Sequence, residues 1–133
     1  MRIILLLFML ALISGCASGS PRLEAQNTAI RDLIEVNELE EVDVVRFVRQ
    51  LDGYEVNQYY VILSERKNRY LLEYRQRCTR DFFGRVAPDV RNDPNAIRPR
   101  IDTYRGCRIN AIYVIDEALE GELKQIGKAP GEK

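Results

Sequence analysis

The sequence predicts a mainly β fold: a small antiparallel curled sheet or partly open barrel of about five strands, with a short helix at each end. Two observations carry this prediction. From residue 42 onward, β-branched and aromatic residues fill short segments at roughly ten-residue spacing, separated by turn-forming residues. Near both ends of the chain, apolar residues instead recur at helical spacing. Since an antiparallel sheet must bury one face against another layer, we expect the helices to help supply that layer.

The first predicted element is a short amphipathic helix within residues 22–40. Ile30, Leu33 and Ile34 follow the i, i+3, i+4 pattern of one helical face. We expect this helix to cover one opening of the barrel. The alternative is a helix that only spaces the domain from a membrane.

Three consecutive strands are predicted next. The segment 42–53 alternates apolar and polar residues and ends at Asp52-Gly53, a turn signal. The segments 54–65 and 69–78 follow, separated by the short turn "RKN". Strands joined by such short connections form an antiparallel meander.

The second half of the chain predicts a turn-rich loop, a closing pair of strands and a C-terminal helix. Phe82 and Phe83 are expected to cap the core, and Asp116 is expected to N-cap the helix. The predicted bounds are 78–97 for the loop, 98–104 and 107–116 for the strands around a turn at Arg105-Gly106, and 116–127 for the helix.

The N-terminal segment predicts export. Arg2 precedes an unbroken apolar run of 11 residues at positions 3–13. A membrane-spanning helix needs roughly 20 residues, so this run is too short to cross a bilayer. Its length and its flanking residues are typical of the apolar region of a signal peptide.

The stretch Ile13-Ser14-Gly15-Cys16 directly behind that run resembles the lipobox of bacterial lipoproteins. The resemblance implies that Cys16 is acylated and becomes the first residue after cleavage, and several acyl chains give stable membrane anchoring. Ala17 stands where an Asp favours the inner membrane, so the resemblance implies the outer membrane, facing the periplasm. The alternative is an ordinary signal peptide with a chance cysteine. The predicted organisation is a signal peptide at 1–15, a lipidated cysteine and flexible tether at 16–22, one small periplasmic domain at 23–127 and a disordered tail at 128–133.

The chain contains three cysteines, and lipidation of Cys16 leaves Cys78 and Cys107. In an oxidising compartment we expect these two to form a disulfide. The closed loop of about 30 residues is worth on the order of 3 kcal/mol. Two free thiols and a metal site are the alternatives, although a chain with no His and no CxxC motif is a poor zinc protein.

Two motifs surround these cysteines: Tyr70-Leu71-Leu72 precedes Cys78, and the second cysteine begins Cys107-Arg108-Ile109. Together with the lipobox, they resemble an uncharacterised family of small Gram-negative envelope lipoproteins. The resemblance spans roughly residues 44–115, and Tyr54 stands where the family usually has Trp. It implies the envelope location and the disulfide, and it implies no particular activity.

Charge is unevenly distributed, although the formal net charge is zero. Residues 22–55 hold four basic and nine acidic residues, whereas residues 65–108 hold twelve basic and six acidic residues. These regions can face each other in the fold, or the arginines can form a face for an anionic partner. Candidate ligands are lipopolysaccharide phosphates, peptidoglycan carboxylates or an acidic protein patch, because guanidinium groups bind such anions in a bidentate manner. The candidate binding residues are Arg75, Arg77, Arg80, Arg98, Arg100 and Arg108.

The sequence offers no recognisable catalytic set. Without His there is no Ser-His-Asp or Cys-His pair, and there is no glycine-rich phosphate loop. Asp116 and Glu117 could serve a hydrolase, and the acids of "PDVRNDPN" could bind calcium. A helix cap and an Asx-turn loop are the simpler interpretations. We therefore expect no catalytic residue, no metal and no cofactor.

Together these features predict an outer-membrane lipoprotein that acts as a non-enzymatic accessory or binding module. The first alternative is a binder of an anionic envelope ligand, lipopolysaccharide or peptidoglycan, through the arginines, and the second is a carboxylate-dependent hydrolase. The expected partners are the membrane, through the lipid anchor, and an envelope protein or an anionic glycan or lipid. Nucleic acid is not expected, since no global positive charge favours it.

Overall fold

A computed structural model describes residues 20–79, 84–85 and 87–132. In this part of the chain, two helices bracket seven strands. No described helix combines the length and the apolar character needed to cross a membrane. The elements are α1 Pro21–Val36, β1 Val45–Arg46, β2 Asp52–Glu55, β3 Tyr60–Glu65, β4 Asn68–Tyr74, β5 Ala96–Ile97, β6 Thr103–Tyr104, β7 Cys107–Ile115 and α2 Glu117–Gly127.

Five of these strands form one antiparallel sheet in the order β2-β3-β4-β7-β6, and the sheet curls into a half-barrel. Strands β1 and β5 form a second, two-stranded sheet in which Val45 pairs with Ile97. The predicted fold class is confirmed, as are the antiparallel pairing of the second and third predicted strands, seen as β3-β4, and the β6-β7 closing pair. The first predicted strand does not join the meander, whose outer strand is instead β2.

The five-stranded sheet is buried on both faces, because its inner strands carry consecutive apolar residues. In β3, Tyr60, Val61, Ile62 and Leu63 are each no more than 1% exposed. Alternate residues point to opposite faces, so two apolar clusters form, one against α1 and α2 and the other against the β1-β5 sheet. Helix α1 therefore does not cover a barrel opening as predicted: its buried Ile30 packs on one sheet face together with residues of α2.

The predicted turn at Asp52-Gly53 is wrong, since both residues lie in β2 and pair with β3. A Cβ atom at Gly53 would lie 2.2 Å from the hydroxyl oxygen of Tyr104. Glycine is needed in this strand because the Tyr104 side chain approaches the backbone closely. The strand predicted over 42–53 is also shorter than expected: its first part contributes only Val45–Arg46, which pairs with β5.

Each helix begins at a residue whose chemistry suits the start of a helix. Helix α1 begins with Pro21, and proline loses no hydrogen bond at a first helical position. Pro21 and Arg22 therefore belong to the helix and not to the predicted tether. Asp116 caps α2 as predicted, since its carboxylate accepts a hydrogen bond from the Leu119 N–H at 2.8 Å. The sequence predicts a disordered tail at 128–133, but residues 128–132 include a turn.

The loops between the strands also contain predicted features. The Asp93 carboxylate accepts a hydrogen bond from the Asn95 N–H at 2.9 Å, which is an Asx turn. The turn at Arg105-Gly106 has positive φ angles of 52° and 76°, the mark of a type I′ hairpin. The two phenylalanines expected to cap the core, Phe82 and Phe83, lie outside the described residues.

Candidate functional site

A disulfide joins Cys78, which follows β4, to Cys107, the first residue of β7. The two Cα atoms are 5.7 Å apart, and the residues are separated by 29 positions. The Cys78 N–H also donates a hydrogen bond to the Gln58 carbonyl at 2.8 Å. The predicted pairing is thus present in the structure. The predicted lipidation site, Cys16, lies outside the described residues.

The strand pairing beside the disulfide places two arginines next to each other. The Arg75 N–H donates to the Arg108 carbonyl at 2.9 Å, which continues the β4-β7 ladder beyond the end of β4. Both side chains are exposed, whereas Ile109, the neighbour of Arg108, is fully buried. Directly opposed like charges destabilise a sheet, so an anion between these two guanidinium groups would relieve their repulsion.

A third arginine completes the site. The Arg100 N–H donates to the Ile109 carbonyl at 2.9 Å, and Arg100 adopts a left-handed conformation with φ of 68°. Arg75, Arg100 and Arg108 line one cleft of about 260 Å³ together with Ile109 and Asn110. We call this group of five residues the arginine cleft.

Charge compensation in the arginine cleft is incomplete. The Arg100 guanidinium pairs with Glu41 at 2.8 Å. Within the described residues, no ion pair or hydrogen bond joins the guanidinium of Arg75 or Arg108 to a carboxylate. The Asn110 amide donates to the Glu73 carboxylate at 3.2 Å and so lies fixed at the edge of the cleft. Two positive charges are thus available to a ligand.

In the part of the chain that the structure describes, the acidic N-terminal region meets the basic region at two ion pairs. Glu41 pairs with Arg100, and Glu55 pairs with Arg105 at 3.1 Å. These contacts fit the expectation that the two regions face each other. They neutralise only part of the basic region, because the arginine cleft keeps Arg75 and Arg108 without a carboxylate partner among the described residues.

Of the other candidate arginines, Arg77 and Arg98 do not line this cleft. The Arg77 guanidinium donates to the side-chain oxygen of Gln58, on the side of the domain near the start of α1. Arg98 is half-buried, and its N–H donates to the Asp102 carboxylate at 2.8 Å. Arg80 lies outside the described residues. The structure therefore brings together three of the six predicted residues.

The carboxylates considered for catalysis or metal binding have structural contacts. Asp116 caps α2, and Glu117 lies 3.8 Å from the Arg69 guanidinium. Asp93 forms the Asx turn and lies 3.5 Å from the Arg46 guanidinium. Across the described ranges, no group of three or more acidic or cysteine side chains is arranged to hold a metal ion.

A second pocket, which the sequence analysis missed, lies beside the disulfide. It has a volume of about 220 Å³ and is lined by seven residues, which we call the Tyr74 pocket: Glu55, Asn57, Gln58, Tyr74, Cys78, Thr79 and Arg105. Tyr74 is only 3% exposed, and its hydroxyl has no hydrogen-bond partner among the described residues. Burial raises the pKa of this phenol, so it stays protonated and able to donate. The sequence feature that could have indicated this pocket is a tyrosine, rather than a phenylalanine, at an inward-facing strand position.

Comparison with known proteins found no match among curated proteins and none among solved structures. One family model, described as "Family of unknown function (DUF6491)", matches residues 1–130. The match takes in the N-terminal apolar segment, both cysteines of the disulfide and every described helix and strand. The chain therefore belongs to this family of unknown function.

Proposed function

We propose that this protein is an outer-membrane lipoprotein that faces the periplasm and binds an anionic group of the envelope in the arginine cleft, without catalysing a reaction. The observation that carries the proposal is the opposed pair Arg75 and Arg108, whose guanidinium groups lack carboxylate partners among the described residues. The lipobox-like stretch ending at Cys16 supports the location.

The chemistry of the arginine cleft favours a phosphate or carboxylate. Guanidinium groups donate paired, charge-assisted hydrogen bonds that match the oxygens of these anions. Pockets for drug-sized ligands usually measure roughly 300–1,000 Å³. A cleft of about 260 Å³ instead suits one charged group of a larger molecule. A lipopolysaccharide phosphate and a peptidoglycan carboxylate both fit this description.

The position of the anchor agrees with a ligand at the membrane surface. Only residues 17–20 separate Cys16 from the first residue of α1. A chain of this length reaches at most about 18 Å. An acylated Cys16 would therefore hold the folded domain close to the headgroups and the attached glycans.

Loss of the anchor cysteine, Cys16→Ser, is expected to release the protein from the outer membrane. Without the thiol no diacylglyceryl group can be attached, and stable anchoring needs more than one acyl chain. Density-gradient fractionation of the cell envelope measures the distribution. The wild-type chain should follow the outer membrane, and so should the double variant Cys78→Ser/Cys107→Ser. If Cys16→Ser still follows the outer membrane, the proposed anchoring is wrong.

The double variant Arg75→Ala/Arg108→Ala is expected to bind anionic envelope material at least about 100-fold more weakly than the wild type. Each lost charge-assisted contact is worth about 1.5–3 kcal/mol, and about 1.4 kcal/mol is tenfold in affinity. Binding of the full chain to purified lipopolysaccharide and to peptidoglycan would be measured separately, to distinguish phosphate from carboxylate. Wild-type affinity should fall as salt rises from about 0.05 M to about 0.5 M.

The matched control is Arg49→Ala/Lys67→Ala. It removes the same charge from two exposed residues that do not line the arginine cleft. This control should keep most of the affinity, because the proposal assigns binding to a defined site. Equal losses in the two double variants would show that binding depends only on net charge and would contradict the proposal.

A further inference from the structure

The Tyr74 hydroxyl is one of two buried side-chain polar atoms without a hydrogen-bond partner in the described structure; the other is Nε of Arg91. Nearly all buried hydroxyls have a hydrogen-bond partner, since leaving one unpaired is costly. Tyr74 is 97% buried, and its hydroxyl oxygen has no partner among the described residues. The residue also lines a pocket that opens beside the disulfide. A hydroxyl without a partner, on a residue that lines a pocket, is a candidate hydrogen-bond donor to a ligand.

Two of the acceptor oxygens at the Tyr74 pocket are already engaged. The side-chain oxygen of Asn57 accepts hydrogen bonds from the N–H groups of Tyr59 and Tyr60, at 2.8 and 3.1 Å. The side-chain oxygen of Gln58 accepts from the Arg77 guanidinium. With these oxygens engaged, the Tyr74 hydroxyl and the Gln58 amide N–H groups are left to donate. A ligand that brings an acceptor would satisfy these donors.

The charges in the Tyr74 pocket favour an uncharged ligand. The Arg105 guanidinium donates to the Glu55 carboxylate at 3.1 Å and to the Gly53 carbonyl at 3.2 Å. Among the described lining residues, this ion pair leaves no net charge. A ligand carboxylate would meet the Glu55 carboxylate, whereas a neutral carbonyl oxygen accepts a strong hydrogen bond without that repulsion.

Three of the lining residues, Tyr74, Cys78 and Thr79, also carry apolar groups: an aromatic ring, a disulfide sulfur and a methyl group. The volume of the pocket is about 220 Å³. We propose that the Tyr74 pocket binds a neutral amide group, whose carbonyl oxygen accepts a hydrogen bond from Tyr74 and whose adjoining apolar carbon packs near the disulfide. An acetamido sugar and a peptide segment both carry such a group.

This site goes beyond the proposed function, because the Tyr74 pocket and the arginine cleft have no lining residue in common. The two sites also differ in their response to salt. Binding of a neutral amide should be nearly insensitive to ionic strength, whereas binding at the arginine cleft should weaken. The variant Arg75→Ala/Arg108→Ala should therefore leave amide binding unchanged, so the two proposals can fail separately.

The test is titration of the ¹⁵N-labelled full chain in detergent micelles with N-acetylglucosamine, with glucose, and with N-acetylalanine methylamide. Resonances of Tyr74, Cys78 and Thr79 should shift with either amide probe and not with glucose. Shifts with only the sugar amide, or only the peptide amide, would support the site and identify its source. No shift with either amide would overturn the proposal.

The variant Tyr74→Phe removes only the hydroxyl and should weaken amide binding about tenfold, the usual effect of one hydrogen bond. It should not lower the melting temperature, because the hydroxyl has no protein partner to lose. Tyr60→Phe is the matched control: Tyr60 is equally buried, but its hydroxyl lies 3.5 Å from the Glu73 carboxylate and outside the pocket. Unchanged binding by Tyr74→Phe, or a marked loss of its stability, would contradict the proposal.

Discussion

Replacing both disulfide cysteines, as Cys78→Ala/Cys107→Ala, is expected to lower the free energy of unfolding by about 3 kcal/mol. The disulfide closes the chain segment between β4 and β7. Within the described part of that segment, only the two-residue strands β5 and β6 are regular structure. This segment has few strand-pairing hydrogen bonds of its own. The disulfide stabilises the fold mainly by reducing the conformational entropy of the unfolded chain.

Urea unfolding of the double variant and the wild type, each with and without reductant, measures this effect. Domains are typically stable by about 5–15 kcal/mol, so a loss of about 3 kcal/mol shifts the midpoint strongly. The wild type should become less stable in reductant and approach the double variant, whose midpoint should not respond. Identical wild-type midpoints in both conditions would show that the disulfide does not stabilise the fold.

Gly106→Ala is expected to destabilise the protein by about 3 kcal/mol, from two separate costs. The Gly106 φ angle of 76° lies in the left-handed region, which costs an alanine about 1–2 kcal/mol. A Cβ atom there would also lie 2.7 Å from the Ala87 carbonyl oxygen and 2.9 Å from its Cα atom. Backbone atoms cannot yield as a flexible side chain can, and overpacking typically costs about 1–3 kcal/mol.

Gly121→Ala is the matched control for this substitution. Gly121 lies inside α2, and a Cβ atom there would meet nothing within 4 Å. Alanine is favoured over glycine in a helix interior by roughly 0.5–1 kcal/mol, so this variant should become more stable. Thermal unfolding of both variants measures the difference. A Gly106→Ala variant as stable as the wild type would mean that the β6-β7 turn is not built as described.

The sequence predicted the elements whose partners lie nearby in the chain. Strands β3 and β4 are joined by a short turn, and Glu65 pairs with Asn68 across it. The β6-β7 hairpin has a turn-forming Arg105-Gly106, and Asp116 has the short carboxylate that an N-cap requires. In each case the local chemistry was enough to specify the structure.

Apart from the disulfide, contacts between distant residues could not be predicted in this way. The pairing of Val45 with Ile97 leaves no pattern in either segment, since each strand has only two residues. Gly53 was interpreted as a turn residue because its neighbour Asp52 is common in turns. Its actual role depends on the Tyr104 side chain, which the fold brings beside it.

The candidate sites likewise include features that the sequence predicted and features that it did not. The cysteine pattern correctly predicted that residues near Cys78 and Cys107 come together, and so placed Arg75 near Arg108. From the sequence alone, Arg77 is as good a candidate as Arg75 or Arg108. Only the direction of each side chain in the folded protein distinguishes the arginines that line the cleft from Arg77. The Tyr74 pocket was not predicted, since a buried hydroxyl without a partner can be recognised only in three dimensions.

The most direct test of the anion-binding proposal is a titration of the ¹⁵N-labelled full chain with inorganic phosphate in detergent micelles. The account predicts that the largest shifts occur at the backbone amides of Arg75, Arg100, Arg108 and Asn110, and that added salt suppresses them. In the Arg75→Ala/Arg108→Ala variant, the backbone amides of the arginine cleft should not shift more than those of other residues. Shifts spread evenly over the basic residues, or largest at Arg49 and Lys67, would contradict the assignment of the arginine cleft as the binding site.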